Sequence, residues 1–343
     1  MSLARAIATG DLAELPSRRD EDWRWTDLRG LIRAMPPASP ASEGPTPPAV
    51  FAAETQLRVI NGRGPDEVTV GAGETRTLAL RFIAASSGTA HVSAIRIVVG
   101  EGARLTLLET YEALAGGCLA EADLDIALGA GAALERVVLT ADAEDGVLVS
   151  TAVVTMGPGA RFAQTALSCG GRRQRLETRV SHPGAGAGVR LDGVYLLAAR
   201  RHADITTVVT HAGLDGATDQ LVKGVVQDQA RGVFQGRIVV REGADRTDAR
   251  MGHHALVLSD RAEVDAKPEL EIFADDVACA HGNTVGALDE EALFYAAQRG
   301  IPEPQARALL TEAFVGEVID RIEDEGAREV ARAWAAGRLR ATP

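Results

Sequence analysis

The sequence has few cysteines: only Cys118, Cys169 and Cys279 occur, far apart and without a C-x-x-C pair. An odd number of scattered cysteines does not form a disulfide framework and favours reduced thiols. An iron–sulfur cluster held by one chain normally needs four ligands, most of them thiolates. Three distant cysteines therefore cannot provide a complete cluster site.

Long apolar runs and excess positive charge are also missing. No stretch of 18 apolar residues occurs, and the first 15 residues contain no apolar run of signal-peptide length. The formal net charge of −12 argues against a nucleic acid or an anionic membrane as a partner, because both require a basic surface. We therefore expect a cytoplasmic protein that binds neither.

Catalytic motifs are missing as well. Only two lysines occur, Lys223 and Lys267, and neither belongs to a G-x-x-x-x-G-K-[ST] phosphate loop, so we expect no ATP binding by this chain. The sequence also lacks G-x-S-x-G and H-E-x-x-H, and its G-x-G pairs do not lie between a strand and a helix. These absences predict a protein that is not an enzyme.

A repeated glycine pair organises the middle of the chain. G-x-G recurs at 71/73, 100/102, 129/131, 157/159 and 184/186, and most pairs lie between runs of alternating apolar residues such as IRIVV and LTLL. A fixed period of strand, tight turn and strand is typical of a β-solenoid, whose coils bury their inner faces by stacking. A β-sandwich has no reason to keep this period, and a left-handed β-helix would need a hexapeptide repeat. We expect the five glycine pairs to stack along one edge.

These patterns divide the chain into four predicted parts, with an all-β core and helical ends. Residues 1–35 form an N-terminal helical segment in which Trp23 and Trp25 serve as packing anchors. A proline-rich linker, 36–49, leads to the parallel β-helix core, 50–286, and then to a C-terminal helical domain, 287–343. That domain should contain helices near 289–299, 303–324 and 326–340, forming a cap that can be removed without unfolding the core. The residues expected on its apolar stripes are Leu293, Phe294, Ala297, Leu310, Phe314, Val318 and Ile322.

The stretch from Lys267 to Gly286 contains the candidate site. Cys279 and His281 are two residues apart, so in a strand their side chains lie on one face. A thiol and an imidazole side by side can ligate zinc or iron. The pattern is short, and cysteine is commonly buried as a small apolar residue, so packing alone would also explain Cys279.

Several segments carry a resemblance to a known family. KPELEIFADDV is followed by Cys-x-His-Gly-x-Thr-Val-Gly and LDEEALFYAAQRGI; LVKGVVQDQARGVFQGRIVV lies upstream, and LPSRRDEDWRWTDL lies near the N-terminus. Together they resemble the SufD branch of the SufB/SufD family of iron–sulfur cluster assembly proteins. The resemblance implies a right-handed, flattened parallel β-helix. It also implies that His281 matches the family's functional histidine and that Cys279 matches the cysteine two residues before it.

The same resemblance implies partners and a cargo. A SufB-like homologue would pair with this chain through the β-helices, and a SufC-like ABC-type ATPase would dock on the C-terminal helices. A transient Fe–S cluster would form at the interface that the two β-helices share. The sequence leaves open whether the chain forms a homodimer in isolation and whether reduced flavin binds.

Two other functions are compatible with a β-solenoid. A polysaccharide-acting β-helix enzyme would need an export signal and an aromatic-lined groove, but aromatic residues make up only 4% of this chain. A β-solenoid that serves as a protein-interaction module, without metal chemistry, differs from the assembly subunit only in whether His281 has a role.

Overall fold

The structure is a computed structural model that describes residues 1–41, 46–141 and 143–340. Within these residues the chain forms α-helices at both ends and strands between them. In chain order they are α1 (Leu3–Thr9), β1 (Thr55–Ile60), β2 (Glu67–Val70), β3 (Thr75–Ala84), β4 (Ala90–Val99), β5 (Arg104–Ala113), β6 (Leu119–Leu128), β7 (Ala133–Ala141), β8 (Val147–Met156), β9 (Arg161–Ser168), β10 (Arg173–His182), β11 (Gly188–Leu197), β12 (His202–His211), β13 (Ala217–Val226), β14 (Arg231–Val240), β15 (Thr247–Val257), β16 (Glu263–Ile272), β17 (Val277–Gly286), α2 (Glu290–Gln298), α3 (Glu303–Ile319) and α4 (Glu325–Arg340).

Successive strands alternate between two facing parallel sheets. The odd-numbered strands form one sheet in the order β1 to β17, and the even-numbered strands form the other in the order β16 to β2. Each strand pairs with the strand two positions away, for example β13 with β15 and β14 with β16. One strand from each sheet makes one coil, which confirms the predicted parallel β-solenoid.

The glycine pairs stack along one edge, as their spacing predicts. The backbone N–H groups of Gly100, Gly129 and Gly157 donate to the last strand residue of the preceding coil, at 2.8–2.9 Å. The second glycine of a pair has a positive φ, +64° at Gly102 and +63° at Gly131, a conformation that residues with a Cβ rarely adopt. The repeat in sequence thus becomes a ladder of turns.

Alternate residues of each strand point into the space between the two sheets. Most are aliphatic and fully buried, because both sheets face each other across this core. The interior also holds polar groups, and one network joins Glu109, Arg136, Gln164 and Thr178 on four strands. Every polar group named here has a hydrogen-bond partner, as buried polar groups require.

The C-terminal helices lie along the outer face of the odd-numbered sheet. Their apolar side chains share one core with outward-facing residues of β3 to β13; the buried helical-region members are Val315, Val318, Ile319, Ile322, Ala327, Ala331 and Ala335. The helices therefore cover the outer face of the sheet and do not form the expected cap at the end of the solenoid. Their removal would expose the apolar outer face of the sheet, and that the core stays folded without them remains a prediction. No helix in the described ranges is long and apolar enough to span a bilayer.

The predicted apolar stripes of these helices are only partly correct. Ile322 and Val318 are fully buried and Leu293 nearly so, whereas Leu310 and Phe314 are half-buried. Phe294 is 67% exposed, and Ala297 is exposed too. The periodicity identifies α2 as a helix but not its contacts, because the short helix packs on α3 and on the end of β15 through one edge only.

The N-terminal segment covers the outer face of the even-numbered sheet. The Trp23 ring lies 4.5 Å from the guanidinium carbon of Arg175, and Thr26 Oγ1 donates to Asp204 Oδ2 at 2.5 Å. His202 Nε2 donates to the Trp25 carbonyl oxygen at 3.0 Å. Trp23 is thus a packing residue, as expected.

The proline-rich stretch that follows is bound to the first coils where the structure describes it. Ala38 forms a parallel bridge with Ala90, and Arg81 donates to the Pro47 carbonyl oxygen at 2.9 Å. Residues 42–45 of the predicted linker lie outside the described residues. The boundaries of the four predicted parts stay predictions.

Candidate functional site

Among the described residues, the last coil leaves one edge of each sheet unpaired. There, strand β17 pairs only with β15, and β16 pairs only with β14. Large apolar side chains are exposed on these strands and the turn between them: Ile272 by 41%, Phe273 by 63% and Val285 by 49%. An unpaired edge with exposed apolar groups can add a strand from another chain.

Cys279 and His281 lie on β17 and face the same way. They pair in register with Ala249 and Met251 of β15, which are buried in the solenoid interior. Because the strands run parallel and in register, Cys279 and His281 also point inward, at the open end of the core. The two-residue spacing therefore brings both candidate ligands to one face.

Cys279 is only partly accessible. Its side chain packs against the apolar interior beneath it. Burial raises the pKa of the Cys279 thiol, and the Asp248 carboxylate raises it further, while the Ala249 backbone N–H lowers it. A thiol with a raised pKa stays protonated at neutral pH, so metal binding there would have to displace a proton.

His281 is the more accessible of the two. Its side chain is exposed, and it has no hydrogen-bond partner in the part of the chain that the structure describes. Both ring nitrogens are thus available to a group approaching the open end. A neutral imidazole can donate a lone pair to iron or zinc.

The described residues alone do not complete a metal site. No group of three or more His, Cys, Asp or Glu side chains within them could hold a metal ion. Cys118 and Cys169 are buried far from β17, where their thiols contact backbone oxygens of Ser86 and Thr140. Within the described residues, Cys279 and His281 are therefore at most part of a metal site.

The sequence patterns do not predict a series of hydrogen bonds that lies behind the site. The Oδ1 atom of Asn283, the next inward-facing residue after His281, lies 2.7 Å from Nδ1 of His253. His253 Nε2 lies 2.9 Å from the Tyr195 hydroxyl, and the imidazole stacks on Phe234 at a centroid distance of 4.8 Å. Burial lowers the pKa of His253 to about 4, so its ring is neutral. In the sequence, the feature that could have indicated this pairing is the 30-residue interval between His253 and Asn283.

The other histidines have structural positions. His253 faces inward and its neighbour His254 faces outward, as strand alternation predicts. Buried His182 and His211 stack edge-on in the interior at 4.3 Å, and burial lowers the pKa of each. His202 is also buried, beneath the N-terminal segment.

The helical region offers a second accessible surface. Phe294 and Tyr295 of α2 and Leu309 of α3 are exposed by 67%, 60% and 49%. A groove of about 720 Å³ runs between α3, the end of α4 and the ends of β11 and β13. Exposed aromatic and aliphatic side chains of this kind are typical of a protein-docking surface.

Comparison with known proteins identifies the family. The family described as SUF system FeS cluster assembly, SufBD core domain, matches residues 82–314, more than half of the chain. An iron–sulfur cluster assembly SufBD family protein of Synechocystis is 30% identical over 235 residues, which cover 66% of this chain and 52% of that protein. SufD of Escherichia coli is 36% identical over 160 residues, covering 47% and 38%.

A longer match extends over nearly the whole chain. An iron–sulfur cluster assembly SufBD family protein of Mycobacterium bovis is 29% identical over 351 residues, covering 93% of this chain and 88% of that protein. The chain spans about half of the Synechocystis relative and less of the Escherichia coli one. The solenoid and these matches agree: the chain belongs to the SufB/SufD family of the SUF system of iron–sulfur cluster assembly.

Proposed function

We propose that this chain is a non-catalytic subunit of a cytoplasmic scaffold complex that assembles and transfers iron–sulfur clusters. The observation that carries the proposal is the coincidence, at one open end of the solenoid, of two unpaired strand edges with the inward-facing pair Cys279 and His281. The edges supply a place for a partner, and the pair supplies ligands for a metal cargo.

The site is divided between two chains in this proposal. Two candidate ligands cannot hold a cluster, which normally takes four. A SufB-like homologue that extends the sheets beyond β16 and β17 would cover the exposed Phe273 and bring its own ligands against His281. The added strands would also satisfy the free backbone groups of both edges. The same edges would join two copies of this chain in a homodimer when the homologue is absent.

His281 is the first proposed ligand and Cys279 the second. The imidazole of His281 is exposed and free of internal hydrogen bonds in the described chain, so binding costs it no existing partner. Cys279 would lose part of its apolar packing and would have to release a proton from a thiol whose pKa is raised. The cluster is cargo in this scheme and leaves with its acceptor.

The helical region is proposed to dock an ABC-type ATPase of the SufC kind. Phe294 and Leu309 are exposed on α2 and α3, while α3 itself is fixed to the sheet by its buried face and by an ion pair between Lys223 and Glu317. A docked ATPase could therefore transmit force to the solenoid through α3. Replacing Phe294 and Leu309 with Ser should abolish co-purification with the ATPase while leaving the far-ultraviolet spectrum unchanged. Full retention of binding would contradict this assignment.

The metal role is tested by replacing His281 with Ala in the complex with the SufB-like partner. Anaerobic reconstitution with Fe(II) and sulfide should then give little cluster absorbance, while assembly of the two subunits persists. His254→Ala is the matched control, because His254 lies on the neighbouring strand but faces outward. If His281→Ala forms clusters as well as the parent, the chain is better described as an interaction module without metal chemistry.

A further inference from the structure

The amide of Asn283 has a fixed orientation at the open end. Its Oδ1 atom has no hydrogen, so the Nδ1 atom of His253, 2.7 Å away, must carry the proton of their hydrogen bond. The other ring nitrogen of the neutral imidazole, Nε2, is then an acceptor, and the Tyr195 hydroxyl donates to it at 2.9 Å. The orientation of the amide is thus set from inside the core.

This chain of bonds is held rigidly. Tyr195 and His253 are fully buried, and His253 also stacks on Phe234. Gly224 and Gly232 leave the space that the Tyr195 ring fills, since a Cβ at either position would lie within 2.4 Å of that ring. Because the oxygen of the Asn283 amide is occupied by this network, its NH₂ group is the end that remains to meet another molecule.

We propose that Asn283 is a second polar group of this chain at the shared site, where it donates an amide N–H to an anionic sulfur atom of the cluster or of a cluster-bound thiolate. The inference rests on the proposed function of His281. Asn283 is the next residue on the same face of β17, about 7 Å along the strand, which is within the reach of one cluster. Tyr195 and His253 act as positioning residues for the amide.

The expected consequence is electrochemical. Hydrogen bonds to the sulfur atoms of a cluster help set its reduction potential, because they stabilise the more negatively charged reduced state. The same bonds slow the loss of the cluster. A hydrogen bond to a charged acceptor is strong enough that its removal should speed cluster release about tenfold.

Three variants distinguish hydrogen-bond donation by the Asn283 amide from the bond that holds this amide to His253. Asn283→Asp keeps an acceptor for His253 but removes both N–H donors, and Asn283→Ala removes the donors and the tether. Thr284→Val is the control, because Thr284 makes the equivalent bond to His254, at 2.7 Å, on the outer face of the same two strands. Each variant is combined with the SufB-like partner and reconstituted with Fe(II) and sulfide, and the reduction potential and the rate of cluster loss to a chelator are measured.

We expect both Asn283 variants to bind a cluster of more negative potential and to release it about tenfold faster, with Asn283→Asp the more negative of the two because it adds charge. Thr284→Val should match the parent. The inference is overturned if both Asn283 variants have the reduction potential and the rate of cluster loss of the parent, or if Thr284→Val changes these two quantities as much as they do. Either result counts against it even if His281→Ala abolishes cluster formation. Normal cluster formation by His281→Ala would instead refute the proposed function itself.

Discussion

The ion pair inside the solenoid allows a quantitative test of how its core is stabilised. Arg136 Nε and Nη2 donate to the two carboxylate oxygens of Glu109 at 2.8 and 2.7 Å, and Nη1 donates to Gln164 Oε1 at 2.6 Å. The side chains of Arg136 and Glu109 are 3% and 0% exposed. Arg136→Leu would leave the carboxylate buried without a counter-ion, which should lower the free energy of unfolding by about 3–5 kcal/mol.

A double variant makes this prediction specific. Glu109→Leu combined with Arg136→Leu should recover most of the loss, because apolar residues often replace a buried ion pair without cost. Urea unfolding followed by circular dichroism measures all three proteins. The reasoning is refuted if the single variant lies within about 1 kcal/mol of the parent, or if the double variant is no more stable than the single one.

Two further predictions concern stability. Gly224→Ala would place a Cβ 1.9 Å from the Tyr195 ring, so it should lower the free energy of unfolding by about 3 kcal/mol or more. Gly316→Ala, in α3 with open space around it, should instead raise the free energy of unfolding by up to about 1 kcal/mol. Equal effects of the two variants in urea unfolding would contradict this prediction. Burial raises the pKa of Asp192 to about 7, so the folded chain holds a proton that the unfolded chain releases, and the parent should lose stability between about pH 4 and 7. The free energy of unfolding of Asp192→Asn, relative to that of the parent, should therefore increase with pH, by at most about 1.4 kcal/mol per pH unit. If the difference between the two proteins is constant from pH 4 to 8, this carboxyl group does not titrate in that range.

The fold could be predicted because its main determinant is repeated in the sequence. The glycine pairs mark every turn of one edge from Gly71 to Gly186, and strand alternation correctly assigns His253 and His254 to opposite faces. The same alternation places Cys279 and His281 together. These are local rules, which hold whatever the rest of the chain does.

Contacts between distant segments were not predictable in this way. The docking of the C-terminal helices on the sheet depends on outward-facing apolar residues such as Val137 and Leu167. In the sequence, these residues cannot be distinguished from other apolar residues of the strands. The bond between His253 and Asn283 requires the register of β15 and β17 to be known within one residue. A shift of one residue would turn Asn283 outward, so its position behind the site follows only from the folded chain.

The most direct test of the account is whether His281 binds iron in the assembled complex. Pulsed electron paramagnetic resonance of the reduced cluster, formed on the complex with the SufB-like partner, detects coupling to an imidazole nitrogen. The account predicts this coupling in the parent complex, its loss in whatever cluster His281→Ala retains, and its persistence in His254→Ala. A parent cluster without nitrogen coupling, or a coupling that survives in His281→Ala, would contradict the claim that the open end of this solenoid supplies a cluster ligand.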